Sequence, residues 1–234
     1  MGNPVLRGDL RARSGSPTVW VLEAIYLGVL GALVFLGLPP ELGRLAGSHE
    51  PSLYVAVLWV QIVLLTYFAS ACLAQEIAVN GEKAAVDLVF APFPAGVIVV
   101  GKSLSSLVTI LYWLLLAAPL LVLTTTIRQI PIGSLLSAAG LIAVVAWGIA
   151  QIGLLYSVIF EAEFSRTVAH WMTLLAIFAG TTLLPSSLQS LNPVEATTEA
   201  AGGFPPAISV AAYAGLGAFC GIWTWGRLRR LAAA

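Results

Sequence analysis

The chain has 234 residues, of which 59% are hydrophobic and only 9% charged, and its eleven basic and eleven acidic side chains leave no net formal charge. Soluble domains run at about 45–50% apolar and about 25% charged, so this composition excludes an ordinary water-solvated fold and makes the bilayer the solvent. Zero net charge argues against nucleic acid as a partner, and Cys72 and Cys220 lie in apolar runs that offer no disulfide framework.

Residues 3–13 are basic, with Val5, Leu6 and Leu10 as an apolar side. That pattern fits a short helix in the membrane interface, held by apolar burial and anionic lipid; the simpler alternative is a frayed basic tail. The first long apolar run, residues 18–38, exceeds the roughly 7–15 residues of a signal-peptide core and reads as a membrane span. A spanning helix needs about 17–25 apolar residues, and five further segments reach that length: 52–73, 95–123, 134–160, 168–184 and 207–225. The runs are continuous rather than alternating in polarity, so helices are expected instead of barrel strands. The expected fold is therefore an all-α membrane protein with six transmembrane helices over 18–225, preceded by a cytoplasmic interfacial segment over 1–17 and followed by a basic tail over 226–234.

Two connections stand out. Residues 74–92 mix Ala78, Val79, Val86, Leu88 and Val89 with Glu76, Glu82, Lys83 and Asp87 before Pro92 and Pro94 stop any helix. Residues 185–206 form the longest external loop and are rich in Pro, Ser, Thr and Gly. If the N-terminus is inside, nine of the eleven basic residues are cytoplasmic and only Arg44 and Arg128 fall outside. Basic residues favour the cytoplasmic side, so both termini are expected there.

Polar groups inside the spans are few. Glu23 sits about one and a half turns into the first span, at about 1.5 Å per residue. An intramembrane acid is a functional candidate, although its shallow depth also lets it reach interfacial water or pair with a nearby Arg. Gln61 and Gln151 lie nearer the middle of the second and fourth spans, either lining a substrate path or tying helices together. Small residues recur every four positions as Ala24, Gly28 and Ala32, and again as Gly217 and Gly221, a pattern that lets helix backbones approach closely.

Gly96-Val-Ile-Val-Val-Gly101-Lys102-Ser103 matches the phosphate-binding pattern G-x-x-x-x-G-K-[ST] letter for letter. Its intervening residues are apolar and β-branched, prolines interrupt its approach, and a membrane span follows, so the match is read as coincidence. Glu161, Glu163, Arg166 and His170 are read as a solvated charged turn rather than a metalloprotease constellation. His49 and His170 stand alone, and neither a metal-ligand spacing nor a nucleophile arrangement is recognisable. No catalytic, cofactor-binding or metal-ligating residue is expected.

The sequence resembles the ABC type-2 permeases, the membrane subunits of six-helix exporters. The resemblance rests on Asn3-Pro4-Val5-Leu6 with Asp9-Leu10-Arg11 and Arg13, on Glu82-Lys83-Ala84-Ala85-Val86-Asp87-Leu88 followed by Pro92 and Gly101-Lys102, and on Ser157 through Arg166-Thr167. It departs from the family where Ala84 and Ala85 replace the usual Gly and Thr, and where Asn80-Gly81 replaces a Glu-Arg pair. The Pro92-Phe93-Pro94 step is also similar to the haem exporter permease of cytochrome c maturation. The resemblance implies an elbow helix over 1–17, a cytoplasmic coupling helix over 74–92 and short re-entrant helices over 185–206. It further implies a cytoplasmic-membrane exporter subunit, paired with a second permease, identical or homologous. The chain shows no nucleotide-binding domain, so an ABC ATPase subunit would supply the energy. On that reading Glu76, Glu82, Lys83 and Asp87 serve ATPase coupling, while Glu23, Gln61 and Gln151 are candidates for the substrate path. A non-transporting membrane scaffold or regulatory subunit, or an intramembrane enzyme, are the alternatives.

Overall fold

The computed structural model describes residues 3–14, 16–37, 52–76 and 94–231. Glu82, Lys83 and Asp87 of the expected coupling loop lie outside the described residues, and of Glu76 only the helical backbone is described. Every regular element among the described residues is a helix.

The first helix, α1, runs Pro4–Ser14. Asn3 starts it: its Oδ1 accepts from the Val5 N–H at 3.0 Å, as an N-cap does, with proline at the first helical position where no N–H is needed. Among the described residues five helices are long and apolar enough to cross a membrane. These are α2 (Pro17–Gly37), α3 (Ser52–Glu76), α4 (Ala95–Arg128), α5 (Ile132–Ile159) and, last in the chain, α8 (Ala207–Leu231). At 34 residues α4 is about 51 Å long, well beyond a hydrocarbon core of about 30 Å. It ends where Gln129 turns into the left-handed region at φ 54° and Pro131 opens α5.

α5 is the hub. It packs against α3, α4 and α8, and residues such as Leu141, Ile142, Val145 and Ile149 are fully buried along it, as expected of a helix that is apolar on every side. Contact with α8 is at backbone distance. A Cβ on Gly148 would stand 2.5 Å from the Tyr213 carbonyl oxygen, and one on Gly217 would stand 2.5 Å from the Trp147 ring. Because 148 meets 213 and, further along, 151 meets 221, α5 and α8 run parallel.

Parallel neighbours require the chain to travel back between them. It does so through α6 (Glu163–Phe178) and a 3-10 turn, Gly180–Leu183. At 16 residues α6 is about 24 Å long, so the segment expected to span at 168–184 is divided between a short helix and a tighter turn. Gly180 and Pro185 bracket that turn, and both residue types disfavour helix continuation. The return path is tied along its length: Tyr156 of α5 meets Thr173 at 2.6 Å, and Asn192 donates to the Phe178 carbonyl at 2.9 Å.

The stretch expected as an external loop is mostly helical. A second 3-10 turn, Ser186–Leu191, leads into α7, Pro193–Ala201. Asn192 caps α7 by accepting from the Val194 N–H at 2.8 Å, and Pro193 occupies the first position. α7 lies across the starts of α3 and α5, where Trp59 donates to Thr198 at 2.8 Å and Gly203, at φ 121°, passes beside Ser134.

The two small-residue patterns diverge. Gly217 is packed as described, but a Cβ on Gly28 would meet nothing within 4 Å, and Ala24 and Ala32 are exposed. The face of α2 carrying them packs against no other described part of the chain.

Candidate functional site

A groove of about 400 Å³ opens sideways between α2, α3 and α4, with Leu10 of α1 at its end. Its floor is apolar and buried, made by Leu65, Phe68, Ala69, Ile110 and Trp113. Trp113 is fixed from two sides, with ring centroids 5.3 Å from Tyr26 and 5.1 Å from Phe68. Trp20 and Tyr112 form an exposed rim. Among the described residues Glu23 is the one carboxylate on the lining, which holds no Lys, Arg or His, and the Tyr112 hydroxyl lies beside it.

Gln61 lies directly behind this groove. It is fully buried, and its Nε2 donates to the Tyr26 hydroxyl at 3.2 Å. Tyr26 follows Glu23 by three positions, so the two share a face of α2. The structure thus brings Glu23 and Gln61 into one aromatic cluster. Among the described residues the Gln61 Oε1 has no hydrogen-bond partner, which leaves a polar atom in the bundle interior, where desolvation is costly.

Gln151 is elsewhere. It lines a second recess, about 480 Å³, between α4, α5 and α8, beside Trp147, Gly217, Gly221 and Trp225. The residue is buried, and its Nε2 likewise lacks a partner among the described residues. The three candidates for a single path therefore occupy two separate places.

The phosphate-loop match lies entirely within α4, so from its first turn onward its amides are committed to the helix rather than arrayed around an anion. Each of its marked residues has a packing partner instead. Gly96 lies against Trp225, and a Cβ on Gly101 would stand 2.8 Å from that of Val5. Lys102 is buried and pairs with Asp9 at 2.7 Å, while Ser103 accepts from the Trp147 indole at 3.1 Å. With Asn3 donating to the Val97 carbonyl at 3.0 Å, these contacts clamp α1 onto the base of α4.

The turn between α5 and α6 is only partly as expected. Glu161 and Glu163 are exposed, but Arg166 and His170 are buried. Spaced four apart, they share with Leu174 the face of α6 turned to the bundle. His170 Nε2 lies 3.0 Å from Ser70 Oγ, and Tyr67 packs against Trp171 at 5.0 Å. Ser70 also donates to the Thr66 carbonyl, so its hydroxyl bonds within α3 as well as meeting the histidine. The Ser70–His170 contact links α3 to α6.

No protein-family model matches this chain, and no curated protein matches it.

Proposed function

We propose that this chain is the permease subunit of an ABC type-2 exporter, moving its substrate across the cytoplasmic membrane with energy from a separate ATPase subunit. The observation that supports this reading is the state of two of the three segments singled out by the family resemblance, the third, 74–92, lying mostly outside the described residues. Residues 1–17 hold a helix docked at the start of α4, and residues 185–206 hold short helices packed over the starts of α3 and α5. Because α4 and α5 are joined by a tight turn, these two sets of helices stand at opposite ends of the bundle.

On this reading α1 is the interfacial elbow and α7 caps the exit. α6 with its 3-10 extension makes the sixth crossing, so that both termini face the cytoplasm, in keeping with the distribution of basic residues. A second permease pairs with this one, covering apolar helix faces such as that of α2. ATP-driven closure of the ATPases pushes on the segment 74–92 and rocks the helices between inward- and outward-open arrangements.

The coupling segment supplies the test. Glu82→Lys or Asp87→Lys reverses a charge at the expected docking surface, which should weaken ATPase association by about 2 kcal/mol. Co-purification of the ATPase with each variant, together with transport-linked ATP turnover, measures this. Unchanged association and turnover in both variants would mean that the loop is solvated and carries no coupling, as for a scaffold subunit.

A further inference from the structure

We propose that the groove between α2, α3 and α4 binds amphiphilic organic cations, with Glu23 as the counter-charge and the surrounding aromatic residues as the seat for the apolar body. As a statement of substrate class this rests on the exporter reading above; as a statement of binding it stands on the groove alone.

Three features select this chemistry. The first is electrostatic. Glu23 brings a carboxylate into a lining that, among the described residues, is otherwise apolar or aromatic apart from the Thr109 and Tyr112 hydroxyls and holds no Lys or Arg. The neighbouring Tyr112 hydroxyl can meet only part of its hydrogen-bonding capacity, since an ionised carboxylate offers about four acceptor positions. A carboxylate facing apolar walls is costly unless its charge is matched, and a cationic ligand matches it. An anion would meet repulsion, and a neutral apolar ligand would cover the carboxylate without compensating it.

The second feature is the aromatic lining. Trp20, Phe68, Tyr112 and Trp113 all border the cavity, and aromatic rings attract cations most strongly where water is excluded. Trp113 is held in place by Tyr26 and Phe68, so part of the seat is built before a ligand arrives. The volume of about 400 Å³ falls within the roughly 300–1,000 Å³ of small-molecule sites.

The third feature is the entrance. Trp20 is 66% exposed and Tyr112 47%, while Leu65 is 1% and Trp113 3% exposed. The groove thus has an open lateral rim and a closed floor, and it admits a ligand from the side of the bundle. Glu23 lies six residues beyond Pro17, about 9 Å along α2. That depth suits a molecule whose charged head stays near the interface while its body enters the hydrocarbon.

The test uses the full chain purified in dodecyl maltoside, whose headgroup carries no charge. Binding of radiolabelled tetraphenylphosphonium is measured by equilibrium dialysis, and binding of tetraphenylborate, its anionic analogue of matched shape, in a separate dialysis. The expected result is saturable cation binding, at least tenfold weaker in Glu23→Gln and lost in Val108→Trp, which fills the mouth from the exposed rim. Tetraphenylborate should show no saturable binding that Val108→Trp removes. Equal cation affinity in wild type and Glu23→Gln, or equal affinity for the anion, would overturn the proposal. So would displacement of no tetraphenylphosphonium by an excess of unlabelled cation, or occupation of the groove by added phosphatidylethanolamine alone, which would make the ligand a lipid headgroup. If Glu23→Gln unfolds, Val108→Trp and the cation-against-anion comparison still decide. No ATPase is present in this assay, so loss of cation binding and loss of ATPase association are read independently.

Discussion

Removing the Lys102 ammonium tests what the glycine-lysine motif at the start of α4 is for. Lys102 and Asp9 pair at 2.7 Å with side chains only 10% and 15% exposed. Breaking such a pair from one side strands the remaining charge, a loss of about 3–5 kcal/mol for a fully buried pair. Asp9 and Lys102 each keep another interaction, which lowers the expected loss to about 2–3 kcal/mol for Lys102→Met or Asp9→Asn. In the double variant no charge is stranded, so the two losses should fall short of additive by at least about 1 kcal/mol. Unfolding followed by tryptophan fluorescence in mixed detergent gives these free energies. Labelling of Val5→Cys, at the interface of α1 with α4, should rise in the single variants as α1 loosens. Nucleotide binding should be absent from the isolated wild-type chain and remain so in every variant. Single losses below about 0.5 kcal/mol or full additivity would refute the clamp, and ATP binding abolished by Lys102→Met with stability intact would point to a phosphate-binding role instead.

Gly148→Ala places a methyl 2.5 Å from the Tyr213 carbonyl oxygen, a backbone atom that cannot rotate away, so a loss of about 3 kcal/mol or failure to fold is expected. Gly28→Ala, with nothing within 4 Å, should stay within about 0.5 kcal/mol of wild type, and thermal unfolding of the two side by side checks both. Asn192→Ala removes both the cap of α7 and the bond to the Phe178 carbonyl. It should cost about 1–2 kcal/mol and speed hydrogen exchange in α7 ahead of the rest of the bundle; uniform exchange would contradict a local role.

Helical class and most span positions are legible because length and continuous apolarity act locally: 95–123 and 134–160 lie almost wholly within α4 and α5. Asn3-Pro4 and Asn192-Pro193 each carry a cap followed by a proline at the first helical position. The second pair sits in a stretch whose Pro, Ser, Thr and Gly content reads as loop. α7 forms there because Ala196, Thr197 and Ala200 are buried against the bundle, which no local propensity announces. The segment expected to span at 168–184 is not one continuous helix for a related reason. Its composition is apolar enough, but Gly180 and Pro185 interrupt the helix, and a 3-10 turn takes over.

The site was legible one residue at a time and not as a group. Glu23 is visible as an acid in an apolar run, and Tyr26 three positions later shares its face. The partners that complete the cluster, Gln61, Phe68, Tyr112 and Trp113, are distant in sequence, and only packing brings them together. Gln61 and Gln151 look alike in sequence yet lie in different recesses. The small-residue stripes behave the same way: Gly217 meets Trp147, whereas Gly28 faces away from the rest of the described chain. His170 reads as solitary until α6 turns it toward Ser70.

The central claim is that this chain is half of the membrane portion of an ATP-driven exporter. Native mass spectrometry of the assembly, extracted from its own membrane with a tag on this chain, tests it most directly. The account predicts two permease copies, identical or homologous, bound to two ABC ATPase subunits. Recovery of the chain alone, or in a stable assembly that contains no ATPase, would contradict it.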